Sequence, residues 1–134
     1  MIELDIPSDV RFIERVVEQV QRECQAMDFG QRQVNLIVPV ALTEALSNAI
    51  LRGNSDDPSK KVYVHASVDR VRLIIEVRDE GAGFDLDACT VDVDSGPVDR
   101  EDGRGLFLMR KLMDRVERVE AQQGNTVRLT LNRA

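Results

Sequence analysis

The sequence predicts a single α+β domain in which a mostly antiparallel sheet is covered on one face by helices. Apolar residues recur at helical spacing through most of the first half, alternating segments typical of strands follow, and tight turns join those strands. The 134 residues are enough to bury one substantial core. The order β-α-α-β-β-loop-α-β-β therefore favours a two-layer sandwich over residues 1–134.

The first half is predicted to hold one short strand and two helices. Residues 3–6 alternate in polarity, and Ser8 is a plausible N-cap for the helix that follows. The apolar positions of that helix are Val10, Ile13, Val16, Val17, Val20, Cys24 and Met27. After Gly30, a second helix is expected from near Gln31 to about Arg52, and Pro39 predicts a kink or a restarted first turn within it. Its apolar positions are Leu36, Val40, Leu42, Leu46 and Ile50.

The second half is predicted to be mainly sheet. Residues 61–68 and 71–78 alternate in polarity and form a hairpin at Asp69-Arg70. A long loop follows to Asp102. A helix then begins at Leu106, and its apolar positions extend to Val116. Residues 117–121 and 126–132 read as a closing hairpin.

Charge and composition exclude several classes of function. The net charge is −6, and residues 85–102, with seven acidic residues and one arginine, carry an equal amount. An acidic chain without a basic stripe argues against nucleic-acid binding. No uninterrupted apolar run approaches the roughly 18 residues that span a bilayer, and the N-terminus does not resemble a signal peptide. Cys24 and Cys89 lack metal-ligand spacing, so we expect reduced thiols and a cytoplasmic location.

Two polar residues of the second helix could carry chemistry. Glu44 and Asn48 are four residues apart, so their side chains leave the same face of the helix. A desolvated carboxylate can act as a general base, and an amide oxygen is a hard ligand that suits Mg²⁺. The same pair could also form an ordinary polar face in contact with water.

Two glycine-bearing segments could surround a ligand. Asp79 follows a strand and precedes Gly81 and Gly83, so its carboxylate could accept a hydrogen bond from an exocyclic amine while the glycines admit a flat ring. The segment 103–105 leads into the helix predicted at Leu106, where free backbone N–H groups could cradle a phosphate. Each segment could also be a simple turn or helix entry. Neither matches the dinucleotide fingerprint or the P-loop.

Together these segments resemble the N, G1 and G2 boxes of the GHKL ATPase superfamily, and most closely its anti-sigma-factor serine/threonine kinases. The resemblance is carried by residues 43–50 (TEALSNAI), 79–85 (DEGAGFD) and 103–114 (GRGLFLMRKLMD). It extends from about residue 4 to residue 132. It implies a Bergerat-type, histidine-kinase-like fold that binds ATP and Mg²⁺.

The resemblance implies how the base of ATP would be bound. Asp79 would accept a hydrogen bond from the adenine amine, and Gly81 and Gly83 would shape the base pocket. Thr126, in Gly124-Asn-Thr126, matches a threonine that commonly assists adenine binding from the terminal strands.

The resemblance also implies the phosphate side of the site. Asn48 would hold Mg²⁺ between the phosphates, and Glu44 would be the base that prepares the acceptor hydroxyl. Residues 86–102 would form the ATP lid. The triphosphate would be lined by Gly103, Arg104, Gly105 and Leu106. Many relatives carry a basic residue shortly after the asparagine; here position 51 is leucine, and Arg52 would make that phosphate contact or remain a surface residue.

Three functions follow from the resemblance. The first is a serine/threonine kinase that phosphorylates a STAS-type anti-sigma-factor antagonist and sequesters a sigma factor or a similar regulator, with a homodimer as a further possibility. The alternative is an ATP-binding switch module with weak or no kinase activity. The third, a detached histidine-kinase catalytic domain, is disfavoured because the sole histidine, His65, lies in the middle of a predicted strand.

Overall fold

A computed structural model of the chain describes residues 1–81, 101–119 and 125–134, with residues 101–106 described by their backbone alone. The five strands are β1 (Ile2–Pro7), β2 (Lys61–Val68), β3 (Arg72–Asp79), β4 (Arg115–Val119) and β5 (Asn125–Asn132). They form one antiparallel sheet in the order β1-β2-β3-β5-β4. The predicted α+β class with a mostly antiparallel sheet is confirmed.

The two faces of the sheet differ sharply in polarity. On the face toward the helices, Val77 pairs with Val127 and Asp79 with Asn125, so this face ends in polar residues at one edge of an otherwise apolar surface. On the opposite face, charged or titratable side chains alternate across all five strands, with N–O distances of 3.5 to 3.9 Å between neighbours. That row consists of Glu3, His65, Glu76, Arg128 and Glu117.

The first helix begins later than the sequence suggests. Asp9, rather than Ser8, caps a short 3₁₀ turn at Val10–Phe12 by accepting a bond from the N–H of Arg11, and α1 follows at Ile13–Ala26. Ser8 is instead buried, and its hydroxyl donates to the carbonyl oxygen of Lys60 at 2.9 Å. The predicted cap was wrong by one position because this serine is used to connect β1 to the chain before β2.

A continuous helical stretch runs from Gln33 to Gly53 in three parts. A π-helical turn at Gln33–Ile37 precedes α2 (Val38–Asn48), and a second π-helical turn occupies Ala49–Gly53. Pro39 lies in the first turn of α2, which agrees with the predicted restart because proline lacks the N–H that an uninterrupted helix would need. Leu36, on the first π turn, is exposed rather than part of the core.

This stretch is long and apolar enough to cross a membrane by composition alone, but half of it is buried inside the domain. It packs between α1 and the C-terminal helix α3 (Glu101–Leu112). Its largest almost completely buried side chains are Leu42, Leu46 and Ile50. It is therefore the core helix of the sandwich.

The last helix differs from the prediction at both ends. It begins at Glu101 rather than at Leu106, so the segment 103–105 lies inside its backbone. Acidic residue types are favourable in a first helical turn, which offsets part of the cost of two glycines there. Val116 belongs to β4 and not to the helix, since the N–H of Asp114 already bonds to the carbonyl of Thr130 in the sheet.

Asn54 connects the helical layer to two places in the sheet. Its side chain is fully buried, and its amide nitrogen donates to the hydroxyl of Ser8 at 2.8 Å and to the carbonyl of Lys61 at 2.9 Å. Its amide oxygen accepts from the N–H of Glu80 at 2.7 Å. One side chain therefore fixes the end of the second π turn against the start of β2 and the end of β3.

We expect Asn54→Ala to lower the free energy of unfolding by about 2–4 kcal/mol, because a buried N–H and a buried carbonyl lose their partner. Urea denaturation followed by circular dichroism would measure the loss. Asn35→Ala is the matched control, since Asn35 is exposed on the first π turn. Equal effects of the two substitutions would contradict the role given to Asn54.

Candidate functional site

The carboxylate of Asp79 is buried where β3 ends. The side chain is 3% exposed and lies on the helix-facing side of the sheet. Burial raises its pKa above the ordinary 3.8, while hydrogen bonds from Gly81 and Asn125 oppose that rise. Its Oδ1 accepts from the N–H of Gly81 at 2.9 Å and from the amide of Asn125 at 3.5 Å. The structure therefore holds a desolvated acceptor next to the turn that follows the central strand.

Two glycines allow the backbone to approach this carboxylate. A Cβ on Gly53 would lie 2.1 Å from Oδ2 of Asp79, and a Cβ on Gly81 would lie 1.4 Å from the carbonyl oxygen of Gly53. A larger residue at Gly53 would have to displace the side chain of Asp79, and one at Gly81 would require a shift of the backbone. Gly81 takes the place that the sequence predicted. Gly53 was missed, because the sequence showed it only as part of a turn after a helix.

Asn48 and Asp79 line the same small cavity. Asn48 is 8% exposed, and its amide nitrogen has no hydrogen-bond partner among the described residues. The other residues that line the cavity are apolar: Ala45, Ala49, Val77, Met109 and Val127. An unsatisfied buried amide costs free energy, so it indicates a place where a polar ligand group binds.

The cavity encloses about 10 Å³, which is room for one water molecule. A flat ring could enter only after a side chain moves. Met109 is the lining residue best able to move, because an unbranched thioether adapts its shape at little cost. Met109 was not identified as a site residue from the sequence, where it read as an ordinary core position.

The remaining helical candidates lie on the same side of the domain. Glu44 is half-buried on α2, one helical turn before Asn48. Arg52 is exposed on the second π turn, directly before Gly53. Their roles as base and phosphate contact stay predictions.

Thr126 does not share a face with Asp79. It pairs with Arg78 on β3 and with Val119 on β4, so its side chain lies on the sheet face opposite to the helices. There it lines an open groove of about 440 Å³ together with Arg78 and Tyr63. The place beside Asp79 is taken by Asn125. The prediction was one residue out of register, and in a strand a shift of one residue changes the face.

The other predicted residues are only partly described. Gly83 and residues 86–100 of the predicted lid lie outside the described residues. Glu101 and Asp102, the last two residues of that lid, belong to α3 and are described by their backbone alone. The four residues predicted to line the triphosphate also belong to the first turns of α3 and are described by their backbone alone: Gly103, Arg104, Gly105 and Leu106. In a helix that begins at Glu101, the first four N–H groups have no partner within the helix, and these include Gly103 and Arg104. Phosphate binding there stays a prediction.

The donor set suits a magnesium ion shared with a ligand. In residues 1–81, 101–119 and 125–134 there is no group of three or more His, Cys, Asp or Glu side chains that could hold a metal. A carboxamide at Asn48 can supply one oxygen, and Mg²⁺ usually takes its remaining ligands from waters and substrate phosphates. The described residues therefore fit a Mg²⁺ that would be shared with a phosphate.

Comparison with known proteins identifies the family. A family model described as the histidine kinase-like ATPase domain matches residues 6–131. The chain belongs to this family. As a histidine kinase-like ATPase domain, it has the ATP-binding fold that the resemblance to the GHKL superfamily implied, and that resemblance is confirmed.

Named relatives of this ATPase domain point to one branch. It is 30% identical over 135 residues to a serine-protein kinase RsbW of Bacillus subtilis (strain 168), covering 96% of this chain and 83% of that protein. It is 34% identical over 93 residues to an anti-sigma F factor of Halalkalibacterium halodurans, covering 67% of this chain and 64% of that protein. The catalytic domain of histidine kinase ThkA shares its fold, with a TM-score of 0.58 at 13% identity, covering 99% and 98% of the two chains.

We expect Gly53→Ala to lower the free energy of unfolding by about 1–3 kcal/mol, because its Cβ would overlap the carboxylate of Asp79. Thermal and urea denaturation would measure the change. Gly30→Ala is the control, since the nearest atom to its Cβ would be 4.0 Å away. A Gly53→Ala variant as stable as the Gly30→Ala variant would show that the contact with Asp79 is looser than described.

The raised pKa of Asp79 gives its contribution to stability a definite sign. A carboxyl with a pKa above 3.8 in the folded state binds its proton more tightly when folded, so its contribution is present below pH 3.8 and is lost as the pH rises through the raised value. We therefore expect the wild type to gain stability relative to Asp79→Asn as the pH falls from 7 toward 4. Denaturant titrations at several pH values would measure this.

Asp69→Asn provides a control of opposite sign for that titration. Hydrogen bonds from the N–H groups of Arg72 and Val71 lower the pKa of Asp69, so its contribution is present above pH 3.8 and is lost as the pH falls below that value. Between pH 7 and 4 the stability difference between the wild type and Asp69→Asn should therefore stay constant, and the wild type should lose stability relative to Asp69→Asn only as the pH falls below about 3.8. Parallel curves for both would contradict the burial of an ionised Asp79.

Proposed function

We propose that the chain is an ATP-dependent serine/threonine protein kinase of the anti-sigma-factor type. The observation that carries the proposal is the cavity shared by the buried acceptor Asp79 and the unsatisfied amide of Asn48. Support comes from the family match and from relatives named as serine-protein kinase and anti-sigma factor. The carboxylate suits the exocyclic amine of adenine, and the amide suits the phosphate end of the same ligand.

The residues divide the work of phosphoryl transfer. Asp79 accepts a hydrogen bond from adenine, and Gly53 and Gly81 leave the ring edge access to that carboxylate. Asn48 holds Mg²⁺ through its amide oxygen. When bound, ATP with Mg²⁺ supplies the phosphoryl group and neutralises the charge that develops on it. Glu44, one turn from Asn48, takes the proton of the attacking hydroxyl, which is the task of a general base.

The proposed partners follow from the named relatives. The acceptor hydroxyl belongs to a serine or threonine of a STAS-type anti-sigma-factor antagonist, and the unmodified kinase binds a sigma factor or a similar regulator. The protein works in the cytoplasm without direct contact with nucleic acid or membrane, and two copies form a homodimer. The alternative is a nucleotide-controlled binding module with weak or no kinase activity.

Phosphate transfer to STAS-type proteins from the same genome, with labelled ATP and Mg²⁺, would test the proposal. We expect ATP with Mg²⁺ to raise the melting temperature of the wild type, because a ligand that binds only the folded state stabilises it. Asp79→Asn should remove this stabilisation. Glu44→Gln should keep it but slow transfer by about 10²–10⁴-fold, the usual contribution of a general base.

Glu18→Gln is the control variant for that experiment, because Glu18 is an exposed carboxylate on α1. If ATP with Mg²⁺ did not change the melting temperature of the wild type, nucleotide binding would be refuted. Normal binding without transfer to any candidate would favour the switch module. Transfer by Glu44→Gln at the wild-type rate would remove Glu44 from the role of base.

A further inference from the structure

Arg118 touches the site through Asn125. Arg118 pairs with Val127 in the antiparallel ladder of β4 and β5, so its side chain lies on the helix-facing side of the sheet. Asn125 lies two residues before Val127 on the same face, which makes Arg118 its diagonal neighbour. The guanidinium nitrogen of Arg118 donates to Oδ1 of Asn125 at 2.9 Å. No motif in the sequence marked either residue.

This bond fixes which way the amide of Asn125 faces. A guanidinium has only donors, so it can bind the oxygen of the amide and not its nitrogen. The nitrogen is thereby directed inward, where it donates to Oδ1 of Asp79 at 3.5 Å and to the carbonyl of Gly81 at 3.4 Å. Both amide hydrogens are therefore committed to acceptors within the site.

The orientation of Asn125 decides what Asp79 can offer to a ligand. Oδ1 of Asp79 receives bonds from the N–H of Gly81 and the side-chain amide of Asn125, and the backbone of Asn125 also interacts with the carboxylate, whose Oδ2 lies against Gly53. A ring edge that approaches this cluster meets an acceptor. An amide turned the other way would place its oxygen beside a carboxylate, or free a donor for a different ligand.

We propose that Arg118 is a positioning residue for base selection: by holding the amide of Asn125, it leaves an acceptor for a 6-amino purine and keeps that amide from donating to a 6-keto purine. This inference rests on the proposed function, since it assumes that a purine nucleotide binds beside Asp79. It adds a specificity-determining contact from the edge strand, outside the three sequence segments that carry the resemblance.

Binding of ADP and of inosine diphosphate, which differ at position 6 of the purine, would test the inference by calorimetry. We expect Arg118→Met to reduce the preference for ADP roughly tenfold, the effect of losing one hydrogen bond from a charged donor. Arg118→Lys should restore most of that preference, because a lysine can still donate to Oδ1 of Asn125. Arg115→Met is the control: it lies on the same strand and is exposed, but pairs with Thr130 on the opposite face.

The side-chain amide signals of Asn125 in ¹⁵N NMR spectra give a second measurement that needs no nucleotide. They should shift and exchange faster with solvent in Arg118→Met than in Arg115→Met. An unchanged ADP preference, equal weakening of both nucleotides, or unchanged amide signals would overturn the inference. A wild type that binds neither nucleotide would refute the proposed function and the base selection with it, whereas wild-type ADP binding with an unaltered ratio in Arg118→Met would refute only the role of Arg118.

Discussion

A carboxylate has to be buried at the end of the central strand without a direct ion pair among the described residues. Asp79 meets this constraint with hydrogen bonds from Gly81 and Asn125 and a weaker attraction to Lys60, and burial still raises its pKa. A direct ion pair would have stabilised the charge but would also have consumed the acceptor. The positive charge of Arg118 acts on Asp79 indirectly, because Arg118 bonds to Asn125 and Asn125 bonds to Asp79. The site therefore keeps the carboxylate of Asp79 as a desolvated hydrogen-bond acceptor.

The helical layer contacts that carboxylate through backbone atoms of two glycines rather than through side chains. The second π turn brings Gly53 against Asp79, and Gly81 packs on the carbonyl of Gly53. The next residue, Asn54, then bonds to Ser8, Lys61 and Glu80, next to the end of β1, the start of β2 and the end of β3. Because contacts this close have almost no freedom, the distance from Asn48 to Asp79 is set by the main chain rather than by adjustable side chains.

Much of this was predictable, and the errors have physical reasons. Periodicity identified the layers and the strands. Asp79, Gly81 and Asn48 were singled out by residue type and do lie close together, while their roles toward a ligand stay predictions. The prediction for Thr126 missed because a sequence pattern shows that side chains alternate but not which of two neighbours faces the helices. The pairing with β3 places Asn125, and not Thr126, opposite Asp79. Gly53 had no signal at all, since its importance lies in a contact with residues far along the chain. The predicted start of α3 at Leu106 was wrong because the two glycines before it disfavour a helix only weakly.

The antiparallel pairing of β3 with β5 has a consequence for the order in which the chain folds. The second neighbour of the central strand is residues 125–132, which lie far from residues 72–79 along the chain. The helical contacts are local and form early, whereas this closure is long-range and late. We therefore expect Asn125 and Arg118 to join Asp79 late in folding. A ligand bound there stabilises contacts that the folding transition state lacks, so it slows unfolding and leaves the folding rate almost unchanged.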